Sequence, residues 1–214
     1  HHAAAVPGHP AAEAAVKRIL LTIEYEGTAY AGWQRQINGL AVQQVLEEAI
    51  SRTVHAPITV TGASRTDAGV HALGQVAHLE VPRRISVRKV LEQFNDELPS
   101  NINILSLQEA EPDFHARHDA VGRSYLYLVS RKRTAFGKRY VWWVRDPLDT
   151  DRMSKAVALF QGFHDFSSFA DKRMDGKVSP LVQLDTVLLA DCGDLIVFRF
   201  SGSHFLWKMV RRLV

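Results

Sequence analysis

The sequence predicts an α+β fold built on antiparallel sheets. Short segments in which apolar and polar residues alternate indicate strands, and longer segments with apolar residues every three or four positions indicate helices. Over the first half of the chain these segments follow the order β-α-β-β-α-β, which matches the ferredoxin-like unit of a sheet backed by two helices. The second half mixes strands and helices in a comparable way. We therefore expect two α+β layers packed together.

The first half contains six predicted elements. The segment "RILLTIEY", residues 18–25, alternates after its apolar start and predicts a strand. Residues 42–54 predict a helix, because their apolar side chains recur on one face. The other predicted elements are strands at 57–61, 70–81 and 101–107 and a helix at 87–98.

The second half contains six further predicted elements. A helix is expected at 150–160, with Asp149 or Thr150 as its N-cap. An amphipathic helix is expected to begin near Ser203. The predicted strands lie at 123–130, 140–145, 181–189 and 195–200.

These elements divide the chain into four expected parts. Residues 1–16 form an Ala-rich tail that is predicted to be disordered and lacks the pattern of a secretory signal. An N-terminal domain at 17–108 and a C-terminal domain at 123–214 are joined by a linker at 109–122. The last predicted helix stops at Val214 without a Gly, Asn or Pro to end it, so we expect the polypeptide to continue and the second domain to be truncated.

The composition is that of a globular domain protein. Of 214 residues, 46% are hydrophobic and 23% are charged, with a formal net charge of +3. Cys192 is the single cysteine, so no internal disulfide can form, which fits a reducing compartment and predicts a cytoplasmic protein. No apolar run approaches the roughly 20 residues that a membrane span needs.

Basic residues are concentrated between Arg117 and Arg145. Eight Lys and Arg residues lie there with a single acid, Asp119, and tyrosines, tryptophans and a phenylalanine lie among them. Cations that bind phosphate and rings that stack on bases would suit a polyanion. A solvated pair of strands with core aromatics is the alternative interpretation.

The familiar motifs for metals and nucleotides are missing from the sequence. The histidines and the lone cysteine have no spacing that resembles a zinc site, and neither a G-x-x-x-x-G-K-[ST] nor a G-x-G-x-x-G motif occurs. A G-x-S-x-G nucleophile motif is also absent. We therefore expect no metal and no nucleotide cofactor, which directs attention to carboxylate chemistry.

The segment "SRTDAGVHA", residues 64–72, places an acid and a base on a predicted turn. Asp67 follows Arg65 with only Thr66 between them, and Gly69 suits a positive φ. A plain turn is one interpretation. The other is that Asp67 is an ionised, positioned carboxylate that acts as a nucleophile or base.

This segment resembles the catalytic motif of the TruA-type tRNA pseudouridine synthases, R-T-D-x-G-V-H-A. Ser64 departs from the Gly that is common in that family, which concerns the shape of the backbone. The resemblance extends from about Arg18 to Val214. It includes "YEGTAYAGWQRQ", "VQQVLEEA", "FHARHDAVGRSYLYLV", "GFHDFSSF" and "FLWKMVRRLV".

The resemblance implies a pseudouridine synthase fold, with two RRM-like domains side by side and a central RNA-binding cleft. It implies a cofactor-free homodimer that isomerises uridine at positions 38–40 of tRNA. Asp67 would be catalytic, and Arg65 would displace and hold the target nucleotide. Tyr125 would pack on the flipped base, and Arg211 would pair with Asp67.

Each implied role has a structural alternative. Tyr125 could be a core residue of a strand, and Arg211 could serve the C-terminus of a helix. "HDFSSF" is interpreted as a turn and packing motif. Two other functions stay open: a non-catalytic RNA-binding module, and a glycosidase-type hydrolase, which would need two facing carboxylates.

Overall fold

The protein is a mixed α+β structure with two antiparallel-dominated sheets. The computed structural model describes residues 16–172 and 178–214. It contains two compact units, of which the first ends at Asp119 and the second comprises Ala120–Val214. Most of the predicted N-terminal tail lies outside the described residues, although Val16 begins the first strand. Within the described ranges, no helix has both the length and the apolar character needed to cross a bilayer.

The first unit follows the predicted order of six elements. Its sheet has the order β2-β3-β1-β4, and all neighbouring strands are antiparallel. The elements are β1 (Val16–Tyr25), α1 (Val42–Val54), β2 (Thr61–Gly62), β3 (Ala72–Pro82), α2 (Val87–Asp96) and β4 (Ile102–Glu109).

Alternation along β1 places every second side chain in the core of the first unit. Ile19, Leu21 and Ile23 are buried there. The apolar stripe of α1, which includes Leu46 and Ile50, joins the same core. The predicted bounds of α1 are confirmed, because the helix covers the same residues as its apolar pattern.

The predicted strand at 57–61 is wrong over most of its length. Side chains of α1 take up the backbone groups that a strand would use. Ser51 Oγ accepts from the Ile58 N–H at 3.0 Å, and Glu47 Oε1 accepts from the Val60 N–H at 3.0 Å. Gln43 Nε2 donates to the Val60 carbonyl at 2.9 Å. Strand pairing is therefore confined to the two residues of β2.

The second unit carries the other sheet. Its order is β6-β5-β9-β8-β7, with β6 parallel to β5 and the other neighbours antiparallel. The elements are β5 (Arg123–Ser130), β6 (Trp142–Trp143), α3 (Thr150–Ala158), β7 (Gly162–Asp165), β8 (Leu181–Cys192), β9 (Leu195–Gly202) and α4 (Met209–Leu213). Asp149 is the N-cap of α3, as one of the two predicted candidates, and accepts from the Arg152 N–H at 2.9 Å.

Two predictions for the segments around β6 and β7 need correction. The strand expected at 140–145 shrinks to β6, because the N–H groups of Tyr140 and Val141 both bond to the Gly137 carbonyl in a turn. The "HDFSSF" motif begins inside β7, which pairs with β8, and only its second half forms a turn in which Phe166 is buried.

The last helix begins later than predicted. Ser203 still bonds to the Gln183 carbonyl through its N–H, and Lys208 adopts φ 61°, a left-handed conformation that a helix interior does not allow. As a result α4 starts at Met209. Its predicted amphipathic character is confirmed, since Met209 and Leu213 are buried while Arg211 and Arg212 are exposed.

A histidine cluster ties a loop of the first unit to β3. His78 of β3 is buried, and its Nδ1 accepts a hydrogen bond of 3.1 Å from the Ala116 N–H. The His115 ring lies 4.8 Å from the His78 ring, centre to centre. Burial of the ring is the largest cause that lowers the pKa of His78, and the positive charges of His115 and Arg18 lower it further. The nearby carboxylates of Glu80 and Asp119 oppose this shift.

We expect His78 to make the free energy of unfolding fall in mild acid. The folded state favours the neutral imidazole of His78. The contribution of His78 to the free energy of unfolding is therefore complete above the ordinary pKa of about 6.5. It is lost as the pH falls from there through the lower pKa of the folded state. His78→Gln should therefore flatten the decline of the unfolding free energy, measured by urea titration between about pH 7 and pH 5. His55→Asn, at an exposed left-handed position after α1, is the control. An unchanged decline in His78→Gln would contradict the prediction.

Candidate active site

The motif with the predicted catalytic residue forms the connection between β2 and β3, residues 63–71, here named the Asp67 loop. The Asp67 carbonyl accepts a hydrogen bond of 3.1 Å from the Val70 N–H, and Gly69 has φ 76°. The predicted turn is therefore present. Asp67 is half-buried and Arg65 is exposed, so the loop presents an acid and a base on one short stretch of backbone.

A second loop of the first unit, residues 26–33, holds the Asp67 loop from one side; we call it the bracing loop. The Trp33 N–H donates to the Thr66 carbonyl at 3.1 Å, and the Gly69 N–H donates to the Tyr30 carbonyl at 3.3 Å. These bonds join the two loops immediately before and shortly after Asp67. They are backbone bonds, so they fix the path of the chain rather than one side chain.

Side chains add two further connections to the same loop. The Tyr25 hydroxyl at the end of β1 is 2.8 Å from Thr66 Oγ1, next to Asp67 in the chain. The Gly27 N–H donates to His71 Nδ1 at 2.9 Å. His71 thereby anchors the end of the Asp67 loop to the bracing loop.

Two glycines allow the loops to approach this closely. A Cβ atom on Gly27 would overlap the carbonyl oxygen of Val70. A Cβ atom on Gly32 would lie 2.5 Å from the Thr66 carbonyl oxygen, and Gly32 also has φ +104°. Any side chain at either position would push the Asp67 loop away, so these glycines are part of the site's construction.

β3 holds the beginning of the Asp67 loop. The Ala63 N–H donates to the Val76 carbonyl at 2.8 Å, and the buried Gln75 donates through Nε2 to the Ser64 carbonyl at 2.7 Å. Ser64 does not have a positive φ. Its replacement of the common family Gly therefore leaves the backbone shape of the loop unstrained.

This construction suits a positioned carboxylate. Backbone and side-chain bonds hold the residues on both sides of Asp67, while its own side chain stays partly open to solvent. Such a carboxylate can attack an electrophilic carbon or accept a proton. Among the described residues, no group of three His, Cys, Asp or Glu side chains is arranged to hold a metal ion.

The other two predicted site residues lie in the second unit. Tyr125 is on β5, partly buried, with its ring edge-to-face against Phe205 at a centroid distance of 4.8 Å and an interplanar angle of 76°. Arg211 is exposed on α4. Arg65 and Asp67 are thus brought together on one loop of the first unit, and Tyr125 and Arg211 both lie in the second unit.

The neighbour of Arg211 has a different position. Arg212 donates to the Ala170 carbonyl and lies 3.8 Å from the Asp171 carboxylate, which Lys208 also contacts at 2.9 Å. The carboxylate of Asp171 is buried, so these cations compensate it within the second unit. Arg212 therefore has a structural role in the second unit, which differs from the substrate-site role predicted for Arg211.

Sequence reasoning did not single out the residues that build the site around Asp67. Gly27, Gly32 and His71 all contribute to the joint between the two loops. The available signal was the pair of glycines in "EGTAYAGW" directly after the first strand, a place where close approach of another backbone is common.

Comparison with known proteins agrees with the motif. A family described as tRNA pseudouridine synthase matches residues 21–119 and 156–214. The tRNA pseudouridine synthase A of Pelobacter propionicus is 43% identical over 198 residues, which cover 92% of this chain and 81% of that protein. The protein of the same name from Methylobacterium nodulans is 42% identical over 200 residues, covering 92% and 78%. The chain therefore belongs to the tRNA pseudouridine synthase family.

Proposed function

We propose that the protein is an isomerase that converts uridine to pseudouridine in tRNA, at positions 38–40 of the anticodon stem-loop. The observation that carries the proposal is the half-buried Asp67 within a family catalytic motif, on a loop held on both sides by a second loop and by β3. Family membership supports tRNA as the substrate class.

The reaction rearranges atoms without adding any. Asp67 attacks the target nucleoside and the bond between uracil N1 and the sugar C1′ breaks. The uracil then turns, its C5 bonds to C1′, and the bond that Asp67 formed in its attack breaks, which frees the carboxylate again. C5 loses its hydrogen as a proton and N1 takes one up, so the product has the composition of the substrate. No external oxidant, reductant or co-reactant enters this balance.

Three further residues are proposed to handle the substrate. A base inside a stem must leave the stack before Asp67 can reach it. Arg65 is exposed two positions before Asp67, which supports a role in displacing the target and holding its phosphate. The Tyr125 ring would pack on the flipped uracil, and its contact with Phe205 supports a fixed ring orientation. Arg211 would pair with Asp67 and keep it aimed.

The proposed architecture is two RRM-like domains side by side, at 17–108 and 123–214, with a linker at 109–122 and an RNA-binding cleft between the domains. The order β2-β3-β1-β4 supports a ferredoxin-like arrangement for the first of them. We also propose a homodimer whose subunits share the tRNA, on the strength of the family resemblance, and a cytoplasmic location, because the chain has one cysteine.

Release of tritium from tRNA labelled at uracil C5 tests the proposed reaction. Isomerisation frees this hydrogen to water and leaves the base attached to the RNA. A glycosidase-type hydrolase would instead release free uracil, and a binding module would release neither. Mapping pseudouridine in the treated tRNA then identifies the modified positions, and modification only outside 38–40 would contradict the proposed site.

Arg65 and Tyr125 should behave differently when they are replaced. Arg65→Ala should lower both tRNA affinity and the single-turnover rate, each by at least about tenfold, because charged hydrogen bonds to the displaced nucleotide are lost. Tyr125→Phe keeps the ring, so tRNA affinity should stay at the wild-type value. Any loss of the single-turnover rate then measures the contribution of the hydroxyl group. Arg88→Ala, an exposed arginine of α2, is the charge control. Wild-type kinetics in Arg65→Ala would remove Arg65 from the site, and wild-type kinetics in Tyr125→Phe would show that the Tyr125 hydroxyl group takes no part in the reaction.

A further inference from the structure

The connection that follows β5 exposes an unusual set of aromatic side chains. Phe136 is 98% exposed, Tyr140 51%, Trp142 52% and Trp143 42%. Aromatic rings of this size usually contribute their area to a core, and a group of them at the surface marks an interaction site. We call residues 132–145 the aromatic-basic segment.

The same segment also carries several cations. Five Lys and Arg side chains of the aromatic-basic segment are exposed, and the segment contains no acid. Arg133 lies over the Trp143 ring, with its guanidinium carbon 5.8 Å from the ring centre. The exposed cations are Lys132, Arg133, Lys138, Arg139 and Arg145.

Arg131, just before the segment, serves a structural purpose instead. Its guanidinium makes two hydrogen bonds of 2.7 Å to the Asp191 carboxylate at the end of β8. The pKa of Asp191 lies well below its usual range, because its carboxylate accepts hydrogen bonds from Arg131, the Thr150 hydroxyl and the Gly193 N–H. This carboxylate is therefore ionised, and its charge is balanced by Arg131. The pair fixes the start of the segment to the sheet.

Backbone bonds hold the rest of the segment in place. The Gly137 N–H donates to Thr134 Oγ1 at 3.2 Å, and the Tyr140 N–H donates to the Gly137 carbonyl at 2.9 Å. β6 pairs with β5, and the Trp142 ring meets the Tyr127 ring edge-to-face at 6.4 Å. The rings therefore stand on an ordered backbone, so less conformational entropy is lost when a partner binds.

We propose that the aromatic-basic segment is a second RNA contact, in which its exposed rings stack on unpaired bases of the tRNA and its cations bind the adjoining phosphates. The proposal rests on tRNA as the substrate in the proposed function. It adds a binding surface in the second unit that neither the catalytic motif nor Tyr125 and Arg211 provide.

The charge of the segment favours RNA over a second copy of the chain. A symmetric contact in which the segment faces the same segment of a second copy would set five exposed cations against five others with no acid from the segment between them, and like charges that face each other across an interface are unfavourable. RNA supplies both complementary groups, since phosphates match the cations and base faces match the rings.

Two variants separate stacking from charge. Phe136→Ala combined with Trp143→Ala should weaken binding of tRNA and of a labelled oligouridine strand by roughly tenfold per ring that stacks, with the salt slope unchanged. Lys132→Ala combined with Lys138→Ala should lower the slope of log affinity against log salt by about 0.7 per lost phosphate contact. Phe163→Ala, an aromatic that is 63% exposed on the opposite edge strand β7, is the matched control and should bind as wild type.

All binding is measured in an Asp67→Asn background, so that turnover does not enter, and tritium release by the wild type is measured separately. Wild-type RNA affinity in both test variants would overturn the inference while the proposed function stands. A fall in oligomeric state on sedimentation, with RNA affinity unchanged, would overturn it in favour of an interface between copies. Failure of tritium release by the wild type would refute the proposed function, whatever the variants bind.

Discussion

Asp67→Asn should abolish tritium release, by at least roughly 10⁴-fold, while tRNA affinity stays within about twofold of wild type. The substitution removes the charge and the nucleophilic oxygen and keeps the size of the side chain. The Asp67 loop is held by the backbone groups of Ala63, Ser64, Thr66 and Gly69, together with side chains of its neighbours, and the substitution leaves the atoms of all these bonds in place. Loss of rate without loss of affinity is the expected signature.

The measurement is a single-turnover assay together with filter binding of tRNA. Asp113→Asn, an exposed carboxylate between β4 and the second unit, controls for the change in net charge. If Asp67→Asn turns over at the wild-type rate, then Asp67 is a turn residue and the proposed mechanism is wrong. If affinity falls together with rate, the carboxylate also shapes the ground-state complex.

The sequence predicted those elements whose bounds depend on local pattern. α1 begins and ends where its apolar stripe does, and Asp149 caps α3 as its residue type indicates. The strand expected at 57–61 failed for a non-local reason. Glu47 and Gln43 lie more than ten positions away in the chain, and their side chains satisfy the backbone that β2 would otherwise have extended. The alternation of apolar and polar residues within a segment cannot predict that side chains of a distant helix will bond to its backbone.

In the candidate site, too, local features could be predicted from the sequence, and contacts between segments distant in the chain could not. Asp67 could be found because the motif places it on a turn beside Arg65, and that turn is present. For Gly27 the glycine itself was a signal, but the backbone that approaches it could not be found, because the Val70 carbonyl is distant in the chain and close only in the folded unit. The start of α4 was also missed, since the left-handed conformation of Lys208 is unusual for that residue type.

Gly27→Ala should lower activity strongly although Gly27 lies outside the Asp67 loop. The new methyl group would overlap the Val70 carbonyl, so the bracing loop and the Asp67 loop must separate, and the bond from the Gly27 N–H to His71 Nδ1 is lost with them. A displacement of about 1 Å at a catalytic group can lower the rate about 10²-fold. Overpacking of this kind also costs about 1–3 kcal/mol of folding free energy.

Gly74→Ala is the matched control for this substitution. Gly74 lies in β3, and the nearest atom to a Cβ there is Thr22 Cγ2 at an ordinary 3.8 Å. It should keep wild-type turnover and stability. Rates are measured below the unfolding transition and expressed per folded molecule, with the folded fraction taken from circular dichroism. A lower rate in Gly27→Ala then reflects displacement of the Asp67 loop rather than global unfolding. A wild-type rate per folded molecule in Gly27→Ala would show that the bracing loop does not position Asp67, because the overlap forces the two loops apart whenever the protein is folded.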